Sequence, residues 1–168
     1  MSSVRQNYQE SSEVGINKQI NLALYAEYVY LSMAYHFDRD DVALPNFCSF
    51  YKQRAQKKKG DAEKLIAFQN KRGGRVRLQD IKKPDKDDWG AGLDSMKTAL
   101  DLERNSQDSY TALNDLAESN GDSHMSDFIE EFMDTNITII KELGDHIANL
   151  TKMGPGLGEY LFDKGLLK

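Results

Sequence analysis

The sequence predicts an all-α protein in which four long helices, one long crossover connection and a short fifth helix follow one another. Apolar residues recur at spacings of three and four, and helix breakers stand between the periodic segments. The breakers are Pro45, Gly73-Gly74, Pro84 and Gly154-Pro155-Gly156. A chain of 168 residues is long enough for a full-sized core, and we expect residues 1–168 to form a single domain.

The first two helices are predicted by an apolar stripe and by a proline. The stripe of the first helix consists of Ile16, Ile20, Leu24, Tyr28, Leu31 and Tyr35, and the helix ends near residues 38–41. Pro45 suits the first turn of the second helix, where a backbone N–H has no intrahelical partner. This helix is expected to stop at Gly73-Gly74.

The connection to the third helix is too long for a hairpin turn. Alternation at Val76 and Leu78 predicts a short strand-like crossover there. A third helix is predicted over roughly residues 93–119, and a fourth over about 124–152 with Asp122 or Ser123 as N-cap. A short fifth helix is predicted over 157–164. Two helix pairs joined by one long crossover are the ferritin-like variant of the four-helix bundle.

Composition excludes several classes of function. The net charge of -5 argues against a nucleic-acid partner, because phosphate binding needs clustered lysine and arginine. No run of about 18 apolar residues predicts a membrane span. Cys48 is the single cysteine, so no internal disulfide is possible, and the first residues have no signal-peptide core. We therefore expect a cytoplasmic protein with no membrane partner.

Segments along nearly the whole chain resemble eukaryotic ferritin subunits. They are VRQNY (4–8), NKQINL (17–22), YVYLSM (28–33), FDRDDVAL (37–44), QNKRGGR (69–75), LQDIKKP (78–84), KELGDH (141–146) and EYLFDK (159–164). The resemblance implies a hollow shell of 24 subunits that takes up Fe²⁺ and stores Fe³⁺ mineral, with no organic cofactor. Such a shell forms from this chain alone or mixed with a catalytic ferritin subunit.

The resemblance also implies where a di-iron centre would lie. Iron-oxidising ferritins carry a Glu on the first helix, Glu-x-x-His on the second, a Glu on the third, a Gln on the fourth and a Tyr nearby. The matching residues here are Ala23, Lys58 with Asp61, Glu103, Asn136 and Tyr30. The match at Asn136 is the least certain, because the fourth helix is one residue shorter than usual between Glu130 and Asn136.

Three of these positions are replaced, so the resemblance implies a disabled ferroxidase centre. Lys58 brings an ammonium group where a bridging carboxylate belongs, which is the replacement that makes light-type ferritin subunits non-catalytic. A buried lysine needs a partner, and Glu103 is the nearest candidate. Tyr30, Glu103 and Asn136 are then vestiges of the centre.

Two alternatives remain open. Glu27 shares a helix stripe with Ala23 and Tyr30, so it either rebuilds a ferroxidase site with Asp61 and Glu103 or neutralises Lys58 in a buried charge network. The other alternative is a scaffold or yolk-type cage with little iron. It follows from neutral or basic residues at positions that face the cavity in the family, namely Ser49, Lys52, Gln53, Gln56, Lys57 and Gly60.

The channels of the shell are also implied by the resemblance. Asp127 and Glu130 are three residues apart near the start of the fourth helix and match the carboxylates of the threefold entry channel for Fe²⁺. Leu157 and Leu161 are one turn apart in the short last helix and match the apolar lining of the fourfold channel.

Overall fold

The computed structural model describes residues 1–167 and confirms the predicted all-α fold. Four long helices form the bundle: α1 (Glu10–Phe37), α2 (Pro45–Lys71), α3 (Gly92–Ser119) and α4 (Ser123–Met153). A short helix, α5 (Leu157–Leu161), and a π-helical turn, Phe162–Leu166, close the described chain. Helices α1 and α2 pack as one antiparallel pair, and α3 and α4 as the other. No helix of the described residues has the length and apolar character that a membrane span requires.

The helix ends follow from local sequence. Pro45 occupies the first turn of α2, and Gly73, just beyond the end of that helix, has a φ of 80° that suits glycine. Asp122 is the N-cap of α4, and its Oδ1 accepts a hydrogen bond from the N–H of Met125 at 3.1 Å. One of the two predicted caps therefore forms.

The crossover in residues 72–91 contains no β-strand, so the strand-like prediction was wrong. Val76 packs against the core, but Leu78 is 68% exposed. The backbone here bonds to side chains of α1 instead of to another strand. The amide of Asn17 donates to the carbonyl of Arg75 at 3.0 Å, and its Oδ1 accepts from the N–H of Arg77 at 3.1 Å. These hydrogen bonds pair a backbone carbonyl and a backbone N–H group of the extended segment, as a neighbouring strand would in a sheet.

The apolar core consists of two clusters. The Phe37 cluster includes Met33, Phe37, Phe47, Tyr51 and Met96. The Ile20 cluster includes Ile16, Ile20, Leu65, Met125 and Ile129. Each long helix contributes to both clusters. Along the helices, residues of the Phe37 cluster lie on one side of Lys58, Glu103 and Asn136, and residues of the Ile20 cluster lie on the other. These three buried side chains therefore form a polar layer between the two parts of the core.

The C-terminal segment is held by two carboxylates that cap helix N-termini. Oδ1 of Asp163 accepts hydrogen bonds from the N–H groups of Asn46 and Phe47, at 2.9 Å each, in the first turn of α2. Oε2 of Glu159 accepts from the N–H of Gly92 at the start of α3, also at 2.9 Å. Carboxylates at helix N-termini satisfy free N–H groups and complement the helix dipole. Asp163 and Glu159 therefore stabilise the starts of α2 and α3.

Candidate metal centre

Glu103 lies at the centre of the buried polar layer, and its carboxylate has no exposed surface. Three side chains donate to it. The phenol of Tyr30 lies 2.5 Å from Oε1, and Nη2 of Arg54 lies 3.1 Å from the same oxygen. Nζ of Lys58 lies 2.8 Å from Oε2. Both carboxylate oxygens are therefore occupied by donors from the protein.

The two cations reach Glu103 because they lie one turn apart on α2. Residues four apart share a helix face, and Arg54 and Lys58 both point towards α3, where Glu103 lies. Their side chains are 10% and 4% exposed. The guanidinium carbon of Arg54 also lies 5.7 Å from the centroid of the Tyr30 ring, a cation–π distance. α2 thus places two buried positive charges against one carboxylate.

The electrostatic balance keeps Glu103 ionised. Burial alone would raise its pKa, but the charges of Lys58 and then Arg54, with hydrogen bonds from Lys58 and Tyr30, outweigh it and hold the pKa below the usual 4.5. Burial, and next the nearby Glu103, raise the pKa of the Tyr30 phenol well above 10.0. The phenol therefore keeps its proton and donates a hydrogen bond to the ionised carboxylate.

Asn136 and Asp61 lie near the layer but face other groups. The amide of Asn136 donates to the backbone carbonyl of Glu103 at 2.8 Å and to Oε1 of Gln107 at 3.3 Å. Oδ1 of Asp61 accepts from Nζ of Lys57 at 2.9 Å, one turn earlier on α2. Neither side chain is hydrogen-bonded to the carboxylate of Glu103.

The two first-helix positions differ in character. Ala23 is buried in the Ile20 cluster, and its side chain has no atom that could bind a metal ion. Glu27 is half-buried, and its carboxylate forms no hydrogen bond or ion pair with any residue in 1–167. Within that range, no group of three or more His, Cys, Asp or Glu side chains is arranged to hold a metal ion. The structure therefore does not bring Glu27, Asp61 and Glu103 together as ligands.

The donor set does not fit a di-iron centre as the chain stands. A di-iron site needs carboxylate and imidazole ligands turned towards a common point. Both oxygens of Glu103 instead face ammonium, guanidinium and phenol donors, and Asp61 is engaged by Lys57. What the layer can do chemically is hold a fixed, ionised carboxylate between cations.

Arg54 is the residue of this site that sequence reasoning missed. Three lysines follow it closely in the chain, and such a basic run resembles a solvated helix face. Its spacing of four from Lys58 was the available signal, because that spacing puts both residues on the face that carries Ala62 and Leu65.

The other predicted residues lie on the surface of the subunit. Asp127 and Glu130 are exposed in the first turns of α4, and Leu157 and Leu161 are exposed on α5. On α2, Ser49, Lys52, Gln53 and Gln56 are exposed, whereas Lys57 and Gly60 are half-buried. The roles of these residues in channels and in the cavity stay predictions, since they depend on neighbouring subunits.

Comparison with known proteins gives the same fold and adds a relative. The Ferritin-like domain family matches residues 14–153, which include nearly all of the four long helices. Soma ferritin from Lymnaea stagnalis is 55% identical over 168 residues, an alignment that covers 99% of this chain and 97% of that protein. A family match across the bundle and a eukaryotic relative this similar from end to end show that the chain belongs to the ferritin family of iron-storage proteins.

Proposed function

We propose that this chain is a light-type ferritin subunit, which stores ferric iron without oxidising Fe²⁺ at a centre of its own. The observation that carries the proposal is the buried contact of Lys58 with Glu103, at 2.8 Å, where the family's catalytic members have a bridging carboxylate. Glu103 is the remaining acidic ligand of that centre, and its charge is already neutralised by the protein.

The chemistry of iron oxidation supports this proposal. Two Fe²⁺ ions are the substrates of a ferroxidase, and they need anionic oxygen ligands to bind close together. Two unit charges of the same sign repel by about 4 kcal/mol at 4 Å in an effective dielectric of about 20. Fe²⁺ carries twice that charge and would meet both Lys58 and Arg54. Ala23 adds no ligand that offsets this repulsion.

We further propose that the subunits assemble into a cytoplasmic shell of 24, alone or mixed with a catalytic ferritin subunit. Asp127 and Glu130 then line the threefold channels through which Fe²⁺ enters, and Leu157 and Leu161 line the fourfold channels. In a mixed shell the catalytic subunit oxidises iron and this chain adds cavity volume. The exposed Lys52, Gln53 and Gln56 of α2 predict slower mineral growth than acidic residues at those positions would give.

The test is the rate of Fe²⁺ oxidation in air by the purified, assembled protein, compared with a buffer blank and with a catalytic ferritin. We expect a rate equal to that of the blank. A fast rate that Glu27→Ala abolishes would replace the proposal with a rebuilt ferroxidase site. Iron retained per shell, after loading a mixed assembly, separates a storage subunit from a scaffold that holds little iron.

A further inference from the structure

We propose that Arg54 is a second, independent block to metal binding at Glu103, so that replacing Lys58 alone does not open the site. The inference rests on the proposed absence of a working centre and assigns its cause to two residues. The guanidinium of Arg54 is bound to the buried carboxylate of Glu103 and excludes a divalent metal ion from it.

The two cations act on different oxygens of Glu103. Lys58 contacts Oε2 at 2.8 Å, whereas Arg54 contacts Oε1 at 3.1 Å. Removing Lys58 therefore frees one oxygen and leaves the other with Arg54 and the phenol of Tyr30. A metal ion bound by both oxygens of Glu103 would still meet the positive charge of Arg54 at Oε1.

The charge count of the layer leads to the same conclusion. Two cations face one carboxylate, and the nearest other acid on α2, Asp61, is paired with Lys57. The three groups carry a net charge of +1. A neutral residue at position 58 brings this sum to zero, so Arg54 still cancels the charge of the carboxylate that would attract a divalent cation.

Restoring a carboxylate at position 58 does not remove the difficulty. A guanidinium has five donors in a planar fork and binds carboxylates through two parallel hydrogen bonds. A glutamate at position 58 would lie one turn from Arg54 on the same face of α2. Arg54 then lies within reach of both carboxylates and can donate hydrogen bonds to each of them. The guanidinium would thus occupy the place that a metal ion needs.

The experiment compares Lys58→Glu/Asp61→His with and without Arg54→Gln, using Zn²⁺ as a redox-inert probe. Zinc affinity of the assembled protein is measured by calorimetry at constant pH, and binding by the unmodified shell is subtracted to remove channel and surface sites. We expect Arg54→Gln to tighten zinc binding at least tenfold, because hydrogen bonds to a buried charge change equilibrium constants by that order.

Arg104→Gln is the matched control. Arg104 neighbours Glu103 in the chain but is exposed and makes no ion pair with any residue in 1–167, so its removal changes the total charge equally and should leave zinc affinity within about twofold. Equal zinc affinity with and without Arg54 would overturn the inference.

Two further measurements keep the inference testable. If the variants that carry Asp61→His do not assemble, Lys58→Glu alone and with Arg54→Gln gives the same comparison, read from the visible absorption of bound Co²⁺. The oxidation rate of the unmodified protein tests the proposed function separately. A blank-level rate together with no effect of Arg54→Gln would reject this inference and leave the proposed function standing.

Discussion

Lys58 and Glu103 form an ion pair in which neither side chain is more than 4% exposed and 2.8 Å separates Nζ from Oε2. Replacing such a buried pair by apolar residues is often neutral, whereas removing one partner is strongly destabilising. Here the two partners are not equivalent. Glu103 has a second cation, Arg54, and each cation has only this carboxylate in the layer.

We therefore expect Glu103→Gln to destabilise the protein more than Lys58→Met. The first change leaves two buried cations without a counter-charge and should lower the free energy of unfolding by about 3–5 kcal/mol. The second leaves Glu103 paired with Arg54 and should cost about 1.5–3 kcal/mol. Urea unfolding at fixed protein concentration measures both. Lys59→Met, at an exposed position, is the control and should change stability by less than about 0.5 kcal/mol; equal losses for the two buried variants would contradict the expectation.

The lowered pKa of Glu103 predicts a specific loss of stability in acid. A carboxylate whose pKa is lower in the folded state contributes stability above its unfolded pKa, which is 4.5 here, and that stability is lost as pH falls through the folded pKa. The difference in urea midpoint between the unmodified protein and Glu103→Gln should be constant near neutral pH and shrink below about pH 4.5. A difference that stays constant throughout acidification would show that Glu103 does not titrate in this way.

The protein should tolerate a side chain at Gly60 and be more stable with one. It lies inside α2, and apart from its chain neighbours and the backbone of its own helix an added Cβ would meet no atom within 4 Å. Gly60→Ala should raise the free energy of unfolding by about 0.5–1 kcal/mol, since glycine costs that much in a helix interior. Gly92→Ala is the contrast, because its Cβ would lie 2.5 Å from Cζ of Phe47. Thermal unfolding of both variants should therefore shift in opposite directions, and a loss of stability in Gly60→Ala would refute the expectation.

The cap made by Asp163 should stabilise the start of α2. Asp163→Ala removes the acceptor for the N–H groups of Asn46 and Phe47 and should cost about 1–2 kcal/mol. Asp163→Asn keeps an oxygen at the position and should cost less. Hydrogen exchange of the two amides, with urea unfolding, distinguishes a local effect from a global one. Unchanged protection of both amides in Asp163→Ala would exclude the capping role.

Much of the fold was predictable because its determinants are local. Pro45, Gly73-Gly74 and Asp122 act within a turn of where they stand, so the ends of α2 and the start of α4 followed from the sequence. The crossover did not follow, because alternation at Val76 and Leu78 does not reveal whether a strand exists to pair with. The hydrogen bonds of that segment go to Asn17, some 60 residues away.

The site was predictable where one contact dominated. The sequence predicted Lys58 and Glu103 as partners, and they are in contact. Arg54 was not predicted, because its burial depends on how α2 is turned against α3. Glu27 was expected to face the same layer, but it makes no ion pair within residues 1–167. A shared helix stripe does not determine which group a side chain contacts, because residues one turn apart on the same face lie about 5–6 Å from each other.

The cap on α2 has a consequence for how a subunit is made. Asp163 follows Asn46 by 117 residues, so the ribosome releases α2 long before its cap has been synthesised. Synthesis proceeds at about 5–20 residues per second, so for several seconds the first turn of α2 lacks the carboxylate that accepts from its N–H groups. Residues translated much later therefore complete the start of α2, and a chain that stops short of Asp163 would leave the N–H groups of Asn46 and Phe47 without this acceptor.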